Sequence, residues 1–255
     1  IGVKFIADGS TQGLTAALNE PYSYPAGTKI KGSLNYQTET LYNAVKPYFD
    51  QGWQIAIHAN GDSAIDQALE NYSKLLDKVD NPQARRLRIE HFTITKPEQL
   101  VLTKKLGVVP GFTIGHVHYW GEPFHNQIVG AARANRIDPS ASMKKEGVRF
   151  AYHSDSPVSP YGPLKYITQG VTRVWQSPFE RVLGPEERIS VDDAIRAVTI
   201  DAAYQLMSDH EVGSLEVGKL ADFVVLEKNP RTTPPAQISE IKVLETWMGG
   251  KRQQW

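Results

Sequence analysis

The amino-acid sequence predicts an α/β fold built on a parallel sheet, followed by a small β unit. Three observations carry this. Strand-like and helix-like segments alternate from Ile1 to about Val158, the order expected when helices cross between parallel strands. Three of the apolar runs end in a histidine or an aspartate just before a turn: Ile55-Ala-Ile-His58, Leu87-Arg-Ile-Glu-His91 and Phe150-Ala-Tyr-His-Ser-Asp155. Beyond Pro163 the alternation stops.

The elements follow in order. Val3 to Ala7 reads as a strand, Thr38 to Gln51 as a helix and Trp53 to His58 as a strand. Ser63 to Lys78 is an amphipathic helix with Asp62 as its expected cap. Arg86 to His91 is a strand, Lys96 to Lys105 a helix, Val108 to Thr113 a strand, Pro139 to Glu146 a helix and Arg149 to Ser154 a strand. Five such strands fit an open doubly wound sheet and part of a closed barrel equally well. Further on, Ser190 with Asp193 three residues later opens a helix, and Asp201 to Ser208 forms a second. Gly213 to Leu226 and Ile241 to Lys251 read as strands of a small β unit, joined through a proline-rich connection at Asn229 to Pro235.

Composition narrows the function. Twenty-eight basic residues balance 28 acidic ones over 255 residues, which removes the electrostatic footprint of a nucleic-acid or anionic-membrane binder. No run approaches the roughly 20 apolar residues that span a bilayer, and cytosol is the default location. The sequence contains no cysteine, so any metal must be held by His, Asp, Glu or a modified Lys. No Gly-x-Ser-x-Gly elbow, phosphate loop or dinucleotide fingerprint is present. The strand-like run from Ile1, without an initiator Met, is read as a chain beginning inside a fold.

His58, His91 and Asp155, each at the C-terminal edge of a strand, form a candidate metal-ligand set, since zinc, iron(II) and manganese share these ligands. A carboxylate such as Asp155 can also take a proton from water; its bland alternative is a turn cap. Glu90 is expected on the strand face opposite His91, because side chains alternate. Lys4 lies inside an apolar strand, where it either pairs with Asp8, sits at an exposed edge or becomes a carbamate ligand. His116 and His118, at alternate positions after the fourth strand, are expected on one face as a metal grip, as a substrate contact beside Tyr119 and Trp120, or as plain loop packing. His153 is expected behind the ligands, and Trp175 and Phe179 either line an aromatic pocket or belong to the core.

Taken together, Val3 to Ser10, Ile57 to Asp62, Ile89 to Phe92, Gly115 to Gly121, His153 to Val158 and Gly213 to Leu226 resemble the amidohydrolase superfamily. The likeness is to the branch of metal-dependent hydrolases that includes YtcJ-like proteins and N-substituted formamide deformylases. It implies a (β/α)8 TIM barrel of which this chain is the second half, strands four to eight, in residues 1–210. Residues 211–255 would be the C-terminal part of a composite β-sandwich. In that frame His58, His91, Asp155 and a carboxylated Lys4 are the metal ligands, Asp155 is the general base, and His116, on the seventh strand, faces substrate and holds the oxyanion. The implied cofactor is one or two divalent ions, zinc first, with iron or manganese as alternatives. The implied activity is hydrolysis of a non-peptide C–N bond in a small amide or formamide-like substrate. Alternatives are a hydrolase of cyclic amides or esters, and a catalytically silent barrel fragment. The family's first-strand His-x-His has no counterpart here, so the expected partner is an N-terminal half of the barrel or a second copy of the chain.

Overall fold

Five parallel strands lie side by side in chain order: β1 (Gly2–Ile6), β2 (Gln54–Ala59), β3 (Arg88–His91), β4 (Val109–Thr113) and β5 (Ala151–His153). The structure is a computed structural model that describes residues 2–177, 179 and 181–254; Ile1, read from the sequence as the head of the first strand, lies outside the described residues. Helices α1 (Thr38–Asp50), α2 (Asp62–Leu76) and α3 (Pro97–Leu106) connect the first four strands. Between β4 and β5 the chain forms α4 (Gly115–Pro123), a π-helical turn at Phe124–Ile128, α5 (Ala131–Ala134) and α6 (Ser140–Lys145). Three more helices follow β5, namely α7 (Pro163–Thr172), α8 (Val191–Ala197) and α9 (Ile200–Gln205). An antiparallel sheet of β6 (Phe223–Leu226), β7 (Val243–Met248) and β8 (Lys251–Arg252) completes the described chain.

The apolar periodicities explain the packing. Helix α1 buries Leu41, Val45 and Phe49 at four-residue intervals, and α2 buries Ile65, Leu69, Tyr72 and Leu76 against the same sheet face. Ile55, Ile57, Ile89 and Phe112 receive them and are fully buried. Each such side chain contributes about 1.5–3 kcal/mol of transfer free energy. Tyr72 also donates its hydroxyl to Arg88 O at 2.6 Å, pinning α2 to the edge of β3. Helix α3 ends at Gly107, whose φ of 66° favours glycine and whose N–H closes the last turn on Lys104 O.

The other sheet face is polar. Parallel register places Ile6, His58, Glu90, Gly111 and Ala151 in one row across it, with Lys4, Ala56 and Arg88 one step below. This face opens on a recess of about 620 Å³ lined by Lys4, Gln54, Arg88, Glu90, His153 and Tyr161 among others.

Most predicted elements match within two or three residues, and the differences have physical causes. The α2 N-cap is Gly61; Asp62 is the first helical residue, and its carboxylate accepts the Asn19 N–H at 2.9 Å, tying a preceding loop to the helix. Ser190 caps α8 as expected, accepting the Asp193 N–H at 3.2 Å. The segment from Gly115 is helical, so His116 and His118 do not share a strand face: two residues on a helix point about 200° apart. His118 Nδ1 lies 3.0 Å from Val174 O, away from the strand ends. Helix α7 had no counterpart in the sequence reading. Among the described residues no helix is long and apolar enough to cross a membrane.

Candidate metal centre and substrate site

The site is assembled where β1, β2 and β3 end. Asp8, 1% exposed just past β1, accepts three backbone N–H groups: Asn60 on Oδ1 at 3.0 Å, and Ala17 and Gly61 on Oδ2 at 2.9 Å each. One carboxylate therefore fixes the turn after His58 to the loop after β1. Gly61 allows this crossing, because a Cβ there would stand 2.0 Å from Ala17 O. Asp8 is thereby engaged with backbone, and its expected pairing with Lys4 is not formed; Lys4 sits exposed on the edge strand β1.

His58 Nε2 lies 3.0 Å from Gly9 O, 3.1 Å from Asn60 Nδ2 and 3.4 Å from Asp8 Oδ1. A hydrogen on Nε2 donated to Gly9 O leaves Nδ1 as the lone-pair nitrogen. His91 shows the complementary arrangement. Its Nδ1 meets Thr113 Oγ1 at 2.7 Å, and its Nε2 is buried without a hydrogen-bond partner. The two rings stand edge to face with centroids 4.3 Å apart. Burial, then the neighbouring His153, His58 and His116, pushes the His91 imidazole well below the ordinary histidine range, so it is neutral.

His91 reaches that position because β3 breaks its pleat there: His91 and Phe92 have φ of 75° and 47°. Alternation therefore fails, and Glu90 and His91 both approach His153, contrary to the expectation that Glu90 points away. Glu90 Oε2 is 3.6 Å from His153 Nε2, and the His91 and His153 rings are 5.4 Å apart. Gly111 leaves the space, since a Cβ there would lie 2.7 Å from Glu90 Oε2. Arg88 Nη2 stands 2.6 Å from Glu90 Oε1, while that oxygen lacks an aligned hydrogen bond, so the contact is Coulombic. Burial lowers the His153 pKa, with Glu90 opposing.

His116 lies in the first turn of α4, 4% exposed, instead of on a strand. Its Nδ1 is 3.3 Å from Thr93 Oγ1, which donates to Asn60 Oδ1 at 2.7 Å. Burial, helped by His153 and His58, pushes this imidazole down to about 3. Asp155 follows β5 with φ of 51° and is exposed. Trp120 stacks on Phe124 with centroids 6.3 Å apart, Trp175 is core at 3% exposure, and Phe179 is 68% exposed.

The fold thus brings His58, His91, His116 and His153 together. It leaves Asp155 and Lys4 at the rim, and among the described residues no three His, Asp or Glu side chains form a group able to hold a metal ion. Asp8, Asn60, Thr93 and Thr113 carry the positioning; the sequence pattern pointed to Asp8 only as a partner of Lys4 and to the other three not at all. For Asp8, the signal was a charged residue closing an apolar strand ahead of a glycine.

Comparison with known proteins gives the family of the chain. The amidohydrolase family profile matches residues 2–253. Protein LONG AFTER FAR-RED 3 of Arabidopsis thaliana is 32% identical over 98% of this chain and 42% of its own. N-substituted formamide deformylase of Arthrobacter pascens is 30% identical over 78% of this chain and 36% of its own. Putative amidohydrolase YtcJ of Bacillus subtilis is 27% identical over 98% and 46%. A solved structure of an uncharacterized metal-dependent hydrolase from Pyrococcus furiosus superposes with a TM-score of 0.77 at 26% identity, over 91% of this chain and 45% of that one. The chain spans less than half the length of each of these proteins. It belongs to the amidohydrolase family, in the branch of YtcJ and N-substituted formamide deformylase.

Proposed function

We propose that this chain forms part of a metal-dependent hydrolase that cleaves a non-peptide C–N bond of a small amide or formamide-like substrate. The observation that carries the reading is the His58–His91 pair. Two imidazoles 4.3 Å apart have their outer nitrogens tied to Gly9 O and Thr113 Oγ1, and their remaining nitrogens are free of partners among the described residues. Histidine ligands held from behind in this way are the usual supports of a divalent ion, and an orphaned buried Nε2 otherwise costs about 1–3 kcal/mol. The donors present fit zinc, iron(II) or manganese and supply only part of a ligand shell. Asp155, a carboxylated Lys4 and donors outside this chain complete it in our reading.

A bound ion would polarise the substrate carbonyl and lower the pKa of a water molecule. Asp155 takes the proton of that water and passes it to the leaving amine. His116 faces the substrate.

The architecture fits the same reading. A sheet whose strand order follows chain order, with β1 and β5 at its edges among the described residues, is the arrangement a closed (β/α) barrel requires of one arc. We read residues 1–210 as that arc and 211–255 as part of a β-sandwich, both completed by the remainder of a longer protein. The test is elemental analysis and an amide-substrate panel on the metal-loaded full-length protein, wild type and Asp155→Asn. Bound metal with hydrolysis lost in the variant is expected. Undiminished hydrolysis by Asp155→Asn, or a protein that retains no metal, overturns the reading.

A further inference from the structure

We propose that His116 is a specificity-determining residue that accepts a hydrogen bond from a substrate N–H, so that the site selects amides bearing a hydrogen on nitrogen. The inference rests on the amide-hydrolase reading above and adds to it the polarity of one contact.

The polarity follows from a chain of forced assignments. Gly9 O can only accept, and Asn60 Nδ2 lies 2.9 Å from it, so that arm of Asn60 is the amide NH2 and the other is the carbonyl oxygen. Asn60 Oδ1 in turn can only accept, so the hydroxyl hydrogen of Thr93 lies on the 2.7 Å bond between them. A hydroxyl carries a single hydrogen. Towards His116 Nδ1, 3.3 Å away, Thr93 Oγ1 therefore presents a lone pair, and the ring hydrogen must sit on Nδ1. A neutral His116 then has only a lone pair on Nε2, which has no hydrogen-bond partner among the described residues.

This reverses the role expected from the family resemblance. Holding an oxyanion needs an N–H on Nε2, and the relay Gly9–Asn60–Thr93 gives the hydrogen to the other nitrogen. Asn60, Thr93 and His116 are 4%, 0% and 4% exposed, so bulk water does not compete for these bonds. A secondary amide or N-monosubstituted formamide supplies the donor that Nε2 lacks. An N,N-disubstituted amide places carbon there and leaves Nε2 unpaired, the situation that sites built around a hydrogen bond reject most strongly.

The experiment uses the metal-loaded full-length protein with a formamide R–NH–CHO and its N-methyl counterpart. Wild type is expected to favour the N–H substrate in kcat/KM by about 10- to 100-fold. Thr93→Ser should keep that preference, and Thr93→Val and His116→Leu should shrink it several-fold, because the first frees the tautomer and the second removes the acceptor. Nitrogen-15 spectra of the His116 ring give a readout independent of turnover: the hydrogen is expected on Nδ1 in wild type and Thr93→Ser, and redistributed in Thr93→Val. A hydrogen on Nε2 in wild type overturns the inference. So does amide hydrolysis whose N-methyl discrimination is the same in wild type, Thr93→Val and His116→Leu. Failure to hydrolyse any amide overturns the reading it rests on as well, which separates the two.

Discussion

The parallel sheet and the C-terminal antiparallel sheet are both written in apolar, β-branched residues, yet they meet opposite environments. In β2 and β4 almost every residue is buried, with Ile55, Ile57 and Phe112 at 0% exposure beneath helices and polar groups. In β6 and β7, Val224, Leu244 and Met248 share one face by alternation and are 51%, 54% and 57% exposed. Hydrophobicity therefore predicts strand in both places and burial in only one. An apolar face of this kind, uncovered by the described residues, marks a contact surface or an aggregation liability.

The sharpest way to break the comparison is to cut into the buried side. Phe112→Ala removes a ring that lies 5.1 Å from Phe150 and 6.3 Å from Phe92, and should cost about 4 kcal/mol in urea unfolding. A loss below about 1 kcal/mol would mean that this core collapses to fill the gap. Next comes Arg173, fully buried in the loop after α7, whose guanidinium donates to Leu183 O, Asp138 O and Ile137 O at 2.7, 3.2 and 2.8 Å. Arg173→Met strands those carbonyls and the buried Asp138 carboxyl, and is expected to cost about 3 kcal/mol. Adding Asp138→Asn should recover part of the loss; no recovery would show that the two groups do not interact.

A smaller effect separates buried histidine from surface. Folding holds His116 neutral down to about 3, while the unfolded chain takes a proton below about 6.5. This histidine therefore costs nothing above pH 6.5 and lowers stability as pH falls through the window toward 3, by about 1.4 kcal/mol per unit, or about 2 kcal/mol at pH 5. Urea midpoints between pH 7.5 and 5 should fall less steeply in His116→Leu than in wild type, and parallel slopes would refute the assignment. The smallest effect belongs to the exposed sheet, where Leu244→Thr should change stability by less than about 0.5 kcal/mol and reduce self-association in light scattering. A cost like that of Phe112→Ala would show that this face is covered.

Local patterns made most of the fold legible. Strands β1 to β5 and helices α1, α2, α3 and α6 follow from apolar period and caps, because the residues that form them are also the ones that pack. Helix α4 escaped because Gly115-His-Val-His-Tyr-Trp-Gly121 has poor helix formers throughout, and tertiary packing of Val117 and Phe124 overrides propensity. Helix α7 was readable in principle: Pro163 at the first helical position is followed by Leu164, Ile167 and Val171 on one face. At the site, His58 and His91 were visible as strand-end residues. Their mutual distances, and the work of Asp8, Asn60, Thr93 and Thr113, depend on contacts between segments far apart in the chain and leave no local periodic trace.

The left-handed turn that carries His91 out of β3 also limits which substitutions can be interpreted. At φ of 75°, as at Asp155 with 51°, the backbone tolerates His, Asn, Asp and Gly and refuses β-branched side chains before any chemistry is asked of the position. A library at these two sites, scored for folding alone, would be enriched in those few residue types even with catalysis abolished. A catalytic loss in His91→Val would therefore mix strain with removal of the proposed ligand, whereas His91→Asn isolates the imidazole.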